Sequence, residues 1–255
     1  MKICIVTGAS GGLGKEFIHQ LDHDSSFDEF WVIARSKEKL AQLQQTSSKV
    51  IRPIPLDLCD YNSIQKIISL LEKEKPDIRM LISNAGLGKI GECKELSLQD
   101  TNAMLDLNVK AAINITQACL PYMHKGARII EIGSIAAFQP MPGFAVYGAS
   151  KSFILSYTRA LHYELLKEGI KVTCVCPYWI KDTNFIPCAK TTNKKGYTHT
   201  PFACLSSNVV KIALQANRLN LYVCTPGFIP TAQHFISKVV PQNIIIPFMD
   251  KVRKL

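Results

Sequence analysis

Short apolar runs of strand length recur along the chain, separated by stretches in which apolar residues return every three or four positions. The first run, 2–6 (KICIV), enters Thr7-Gly8-Ala9-Ser10-Gly11-Gly12-Leu13-Gly14 and is followed by helical spacing over 15–21. Runs at 30–33, 50–56, 78–83, 128–132 and 171–176 predict five further strands. Helical spacing over 38–45, 61–75, 97–122 and 147–167 predicts the helices between them. Such alternation implies an α/β fold: a doubly wound parallel sheet with helices on both faces, a three-layer α/β/α sandwich. No repeat or linker interrupts the pattern, so 1–255 reads as one domain. Residues 184–202, with several lysines, two prolines and a glycine, read as a lid over a substrate. Beyond Thr225-Pro226-Gly227, residues 229–255 form an apolar C-terminal extension with a basic end. It is expected to pack on the body or a neighbouring subunit in preference to a membrane surface.

Composition narrows this picture without redirecting it. A length of 255 residues suits one α/β domain, and 47% hydrophobic residues are enough for a sizeable core. No apolar run approaches membrane-spanning length, and the N-terminal residues pass directly into strand and turn, so a cytoplasmic location is expected. Nine scattered cysteines fit reduced thiols used as small apolar residues. No metal site is expected, because no second Cys or His pair has ligand spacing. The net charge of +10 suits a phosphorylated cofactor. Lysines spread without aromatic interleaving do not suggest nucleic-acid binding.

The chemistry is concentrated at a few positions. Strand, glycine turn and helix in that order aim free backbone N–H groups and a helix dipole at a phosphate, which suits a dinucleotide pyrophosphate. The second strand ends at Ala34, followed by Arg35, Ser36 and Lys37, where NAD-selective sites usually place a carboxylate. Cations there suit a 2′-phosphate, so NADP is expected. The third strand delivers Asp57, next to Leu58, to hold an adenine amino group. The fourth ends in Asn84-Ala85-Gly86, small residues that let a cofactor pass close to backbone. Asn108 sits within an apolar helical pattern and needs hydrogen-bond partners there. Ser134 follows the fifth strand, and Tyr147 and Lys151, four apart, share a helix face. A nearby ammonium favours the phenolate, so this tyrosine is expected to exchange a proton with an alcohol or ketone.

Taken together, TGASGGLG at 7–14, Asp57, Asn84-Ala85-Gly86, Asn108, Ser134 and Tyr147 with Lys151 closely resemble the short-chain dehydrogenase/reductase family, over residues 2–227. The glycine spacing also fits the family's longer epimerase-like branch, but length favours the shorter reductase branch. The resemblance implies a Rossmann-type fold, with Tyr147 as acid/base and Ser134 orienting the substrate oxygen. It further implies that Lys151 binds the nicotinamide ribose and that Asn108 anchors a water relay. The cofactor site implied comprises Gly8, Ser10, Gly12, Leu13, Gly14, Arg35, Ser36, Asp57, Leu58, Asn84, Ala85, Gly86, Tyr147, Lys151, Pro177 and Ile180. A homodimer or homotetramer is implied as well. The expected activity is NADP(H)-dependent interconversion of a ketone and a secondary alcohol, on a bulky apolar substrate of 3-oxoacyl or steroid type. Nucleotide-sugar chemistry and a non-catalytic NADP-binding sensor or scaffold are the other readings. After the sixth strand the chain departs from the pattern: Tyr178 replaces a glycine, and Asp182 occupies the usual threonine position with Thr183 one place later.

Overall fold

The computed structural model describes residues 1–190 and 202–252, and within them the chain forms seven strands and ten α-helices. The strands are β1 (Lys2–Thr7), β2 (Glu29–Ala34), β3 (Val50–Pro55), β4 (Asp77–Ser83), β5 (Arg128–Ile132), β6 (Lys171–Val175) and β7 (Val223–Cys224). All pair in parallel, in the order β3-β2-β1-β4-β5-β6-β7. The chain leaves β3 at one edge and re-enters beside β1 as β4, so the direction of winding reverses there. Successive crossovers on opposite faces leave a crevice outside the C-terminal ends of β1 and β4.

Alternation along β1 divides the core. Cys4 and Val6 face α1 (Gly12–Leu21) and α8 (Ser206–Arg218), where Phe17, Ile18, Val210 and Ala213 cover them. Ile3 and Ile5 face α3 (Tyr61–Glu74), α5 (Ala112–Cys119) and α6 (Ala145–Leu165), through Ile67, Leu71, Ile115 and Leu161. Trp31, Phe17, Phe27 and Phe30 are fully buried. Each such side chain stabilises the fold by roughly 1.5–3 kcal/mol, so β1 and β2 are held firmly. One ion pair joins this core to β5: the Arg128 guanidinium donates to the Asp24 carboxylate at 2.7 Å and to the Ser26 hydroxyl at 3.1 Å.

Several elements differ from the sequence pattern. The helix expected over 97–122 is α4 (Leu98–Leu105), a wider π-helical turn over Asp106–Ala111, and α5. The extra residue in that turn lets Asn108 bond to a neighbouring loop while the helix continues. The helix expected over 38–45 is α2 (Lys37–Ala41), which tightens into a 3₁₀ turn over Gln42–Thr46. β7 is too short to leave a pattern. Part of the expected lid, 184–202, forms α7 (Phe185–Ala189), while its residues 191–201 lie outside the described residues. The C-terminal extension is two helices, α9 (Phe228–Val239) and α10 (Gln242–Val252). Among the described residues no helix is long and apolar enough to cross a membrane.

Candidate active site

The β1–α1 turn is built for close approach to its backbone. Gly12 has φ +46°, in the left-handed region. A Cβ on Gly14 would overlap the Gly8 carbonyl oxygen and lie 2.8 Å from the Ala9 Cα, so the turn closes only around hydrogen. No side chain caps the N-terminus of α1, where Gly11 is extended, so its first N–H groups face outward. Thr183 covers this turn, its methyl 3.1 Å from where a Gly12 Cβ would stand. The carboxylate of Asp182 instead accepts from the Ser206 hydroxyl at 2.7 Å and the Ser206 N–H at 2.9 Å, at the start of α8. Burial alone would raise its pKa, but these hydrogen bonds outweigh it and hold the group below the usual range. Thr183, one place beyond the family position, faces the glycine turn with its methyl, while its hydroxyl donates to the Ile180 carbonyl at 3.2 Å.

Around that cradle, Arg35 is exposed at the end of β2, followed by Ser36, which caps α2 and donates to Glu38 at 2.9 Å. Asp57 is exposed past β3 and accepts from the Cys59 N–H at 3.0 Å; Leu58 is buried beside it. Asn84, just past the end of β4, donates from its side-chain amide to the Thr7 carbonyl at 3.0 Å and from its backbone N–H to the Thr7 hydroxyl at 2.9 Å, binding β4 to β1. Pro177 and Ile180 are buried beyond β6, and the Pro177 carbonyl accepts from the Ile135 N–H at 3.2 Å. An open glycine turn able to take a phosphate, a cation at the end of β2 and a carboxylate past β3 fit the parts of a dinucleotide.

Ser134, Tyr147 and Lys151 come together outside the C-terminal end of β5, all buried. Ser134 caps a short turn, its hydroxyl accepting from the Ala136 N–H at 3.2 Å, and stands beside Tyr147. The Lys151 ammonium donates to the Ile132 carbonyl at 2.7 Å and lies 5.9 Å from the Tyr147 ring centre. The expectation that Lys151 makes the phenol acidic is corrected for this state. Burial pushes the Tyr147 phenol up to about 12, against the lowering effect of the neighbouring Ser134 hydroxyl, and pushes Lys151 down to about 8. The tyrosine therefore holds its proton at neutral pH. Asn108 pins the loop after Gly86: its amide accepts from the Leu87 N–H at 2.9 Å and donates to the Leu87 carbonyl at 2.8 Å and to Ser150 at 3.0 Å.

Sequence reasoning assigned nothing to Glu131, a carboxyl on the strand before Ser134. It is buried, accepts from the Thr116 hydroxyl at 2.7 Å, and also bonds with Ser83. Burial pushes its pKa up to about 7, partly offset by those hydrogen bonds and by Lys151. A charged residue interrupting the apolar run 128–132 was the available signal. Because its folded pKa lies above the unfolded value of about 4.3, Glu131 stabilises the protein fully only below that value. Its contribution is lost as pH rises toward about 7. Glu131→Gln should therefore gain stability relative to the parent as pH rises through that window, by on the order of a few kcal/mol. Urea unfolding midpoints of both proteins across the window check this; parallel curves would contradict it.

Above Tyr147 the wall is aromatic. Phe144 lies 4.4 Å from the Tyr147 ring, Phe185 of α7 lies 5.6 Å from it, and Trp179 lies 6.0 Å from Phe144, all between ring centres. Met141, Ile90 and Met104 complete the buried cluster, and Met249 of α10 packs against it. The C-terminal helix thus reaches the site, a contribution invisible in its sequence pattern.

The profile of the short chain dehydrogenase family matches residues 2–193. Sulfoacetaldehyde reductase 2 of Chromohalobacter salexigens is 33% identical over 184 residues, spanning 69% of this chain and 71% of that protein. A short-chain dehydrogenase from Sphingobium yanoikuyae, in complex with NADPH, is similar in structure with a TM-score of 0.78 at 23% identity, over 95% of this chain and 97% of that one. A short-chain dehydrogenase/reductase from Burkholderia phymatum, in complex with NAD, has a TM-score of 0.78 at 19% identity, over 92% of each chain. At these identities the structural likenesses establish the fold.

Proposed function

The chain belongs to the short chain dehydrogenase family and is an oxidoreductase, and from that premise we propose that it interconverts a ketone and a secondary alcohol with NADP(H). The observation that carries this reading is the burial of Ser134, Tyr147 and Lys151 together outside the end of β5, with the Lys151 ammonium 5.9 Å from the Tyr147 ring centre and an aromatic wall above them. In reduction, Ser134 and Tyr147 hold the carbonyl oxygen, and Tyr147 gives it a proton. Lys151 holds the nicotinamide ribose and keeps positive charge near the phenol. Asn108, through Leu87, keeps the loop after β4 in place and anchors the return of the proton. The nicotinamide, when bound, supplies or accepts the hydride. A subunit pair formed through α4–α5 and α6, working in the cytoplasm, belongs to the same proposal.

The lining of Phe144, Phe185, Trp179 and Met141 favours a bulky apolar ketone, of 3-oxoacyl or steroid type. The relative named for sulfoacetaldehyde points to a small anion, for which this wall offers little.

Preference for NADP(H) rests on Arg35, which is exposed at the end of β2 with no carboxylate beside it in sequence until Glu38. A charge-assisted hydrogen bond to a 2′-phosphate contributes about 1.5–3 kcal/mol. Arg35→Ala should lower kcat/KM for NADPH by about 10- to 150-fold and leave NADH nearly unchanged. Cofactor oxidation followed over a panel of ketones tests both parts. Equal efficiency of the parent with NADH would refute the preference, and NADPH binding without turnover of any ketone would refute the activity in favour of a sensor.

A further inference from the structure

Helix α9 packs on the body through Pro230 and through the polar side chains of Gln233 and His234. His234 stacks on Phe138 with ring centres 4.4 Å apart and contacts Arg159 at 3.4 Å, while the Gln233 side-chain nitrogen is buried. Its apolar side points outward. Phe228, Phe235 and Val239 recur at helical spacing on one stripe and are 87%, 66% and 60% exposed. The stripe continues on α10, where Ile245 and Met249 turn inward while Ile244 and Phe248 are 60% and 64% exposed. These two helices therefore carry more apolar surface outward than an ordinary surface helix, whose apolar side faces the core. Lys238 and Lys251 are exposed at the border of the stripe. In sequence, 228–255 carries Lys238, Lys251, Arg253 and Lys254 against a single acid, Asp250.

We propose that the outer face of α9 and α10 docks this protein in the plane of an anionic lipid bilayer, with the phenylalanines entering the acyl boundary and the lysines meeting the headgroups. Two aromatic helices bordered by cations have the composition and orientation of in-plane amphipathic helices. A two-fold contact between copies would bring these cations against each other with one acid in the segment to pair them, which disfavours a second copy as the occupant. The proposal does not depend on the catalytic reading. Because α10 also contributes Met249 to the cluster over Tyr147, docking would set the site's apolar wall next to the lipid phase.

Flotation of the full chain with vesicles tests this, using phosphatidylcholine alone and phosphatidylcholine carrying about 30% phosphatidylglycerol. The protein should float with the anionic vesicles and far less with neutral ones. Raising ionic strength to about 0.5 M should release much of it. Phe228→Ser with Phe235→Ser should reduce partitioning at least about tenfold with little change in melting temperature, since both side chains are exposed. Lys238→Glu with Lys251→Glu should reduce binding to anionic vesicles alone. Three results would overturn the proposal: no flotation of the parent with anionic vesicles, equal flotation of the phenylalanine variant, or a parent oligomer that this variant dissociates while neither protein floats.

Discussion

Tyr147→Phe is expected to lower kcat for ketone reduction by about 10²–10⁴-fold, the range that a positioned acid contributes. The substitution removes one oxygen and leaves the ring. Its packing against Phe144 at 4.4 Å and Phe185 at 5.6 Å is retained, so the aromatic wall stays in place. Removing the buried hydroxyl should change stability by no more than about 1 kcal/mol. NADPH affinity should change only a few-fold, because one hydrogen bond at most is withdrawn from the cofactor. Steady-state rates with fluorescence titration of NADPH separate the two effects. The high phenol pKa, about 12, also bears on direction: at neutral pH the group is a proton donor, as reduction requires. Unchanged kcat in the variant would remove Tyr147 from the chemistry.

Asp24→Ala should destabilise the fold by about 3 kcal/mol, since it strands a buried guanidinium. Arg128 stands at the first residue of β5, five residues before Gly133 and the Ser134 turn, and its partner lies beyond α1 on the other side of the switch point. Both side chains are largely buried, at 10% and 12% exposure. Burial raises the Asp24 pKa, but hydrogen bonds from Ser26 and Arg128 outweigh it and bring it to about 2. A depressed carboxyl contributes stability that is fully present above its unfolded pKa of about 3.9 and lost as pH falls toward its folded one. The gap between parent and variant should therefore be constant near neutrality and narrow between about pH 4 and pH 2. Chemical denaturation at several pH values checks this. Replacing Arg128 by Leu in the Asp24→Ala background should recover part of the loss, because the unpaired charge goes with it.

The parallel sheet was legible because strands buried on both faces read as continuous apolar runs, and the helices between them carry a second period. The positions of Ser134, Tyr147 and Lys151 were legible for a related reason, since a residue just past a strand end and a pair four apart on a helix are fixed by local geometry. What escaped the pattern depends on tertiary contact. The π-helical turn at Asn108 answers to the backbone of Leu87, which is distant in sequence. Glu131 is a single carboxyl in an apolar strand, and its setting comes from Thr116 and Ser83 on neighbouring elements. The different settings of Asp182 and Thr183 escaped as well, since one bonds to Ser206 at the start of α8 and the other turns its methyl to Gly12. The raised pKa of the Tyr147 phenol follows from burial, which a spacing of four does not report. Nor does the apolar extension reveal which of its sides faces the body; that depends on Phe138 and Arg159 receiving His234.

The central claim is that hydride and proton converge on one carbonyl group over Tyr147. Mass spectrometry of the alcohol formed from an apolar ketone with NADPH deuterated at the transferred position tests it most directly. The account predicts an alcohol carrying one deuterium on the carbinol carbon, formed by the parent and suppressed in Tyr147→Phe. An alcohol without deuterium, or one formed as fast by the variant, would contradict it.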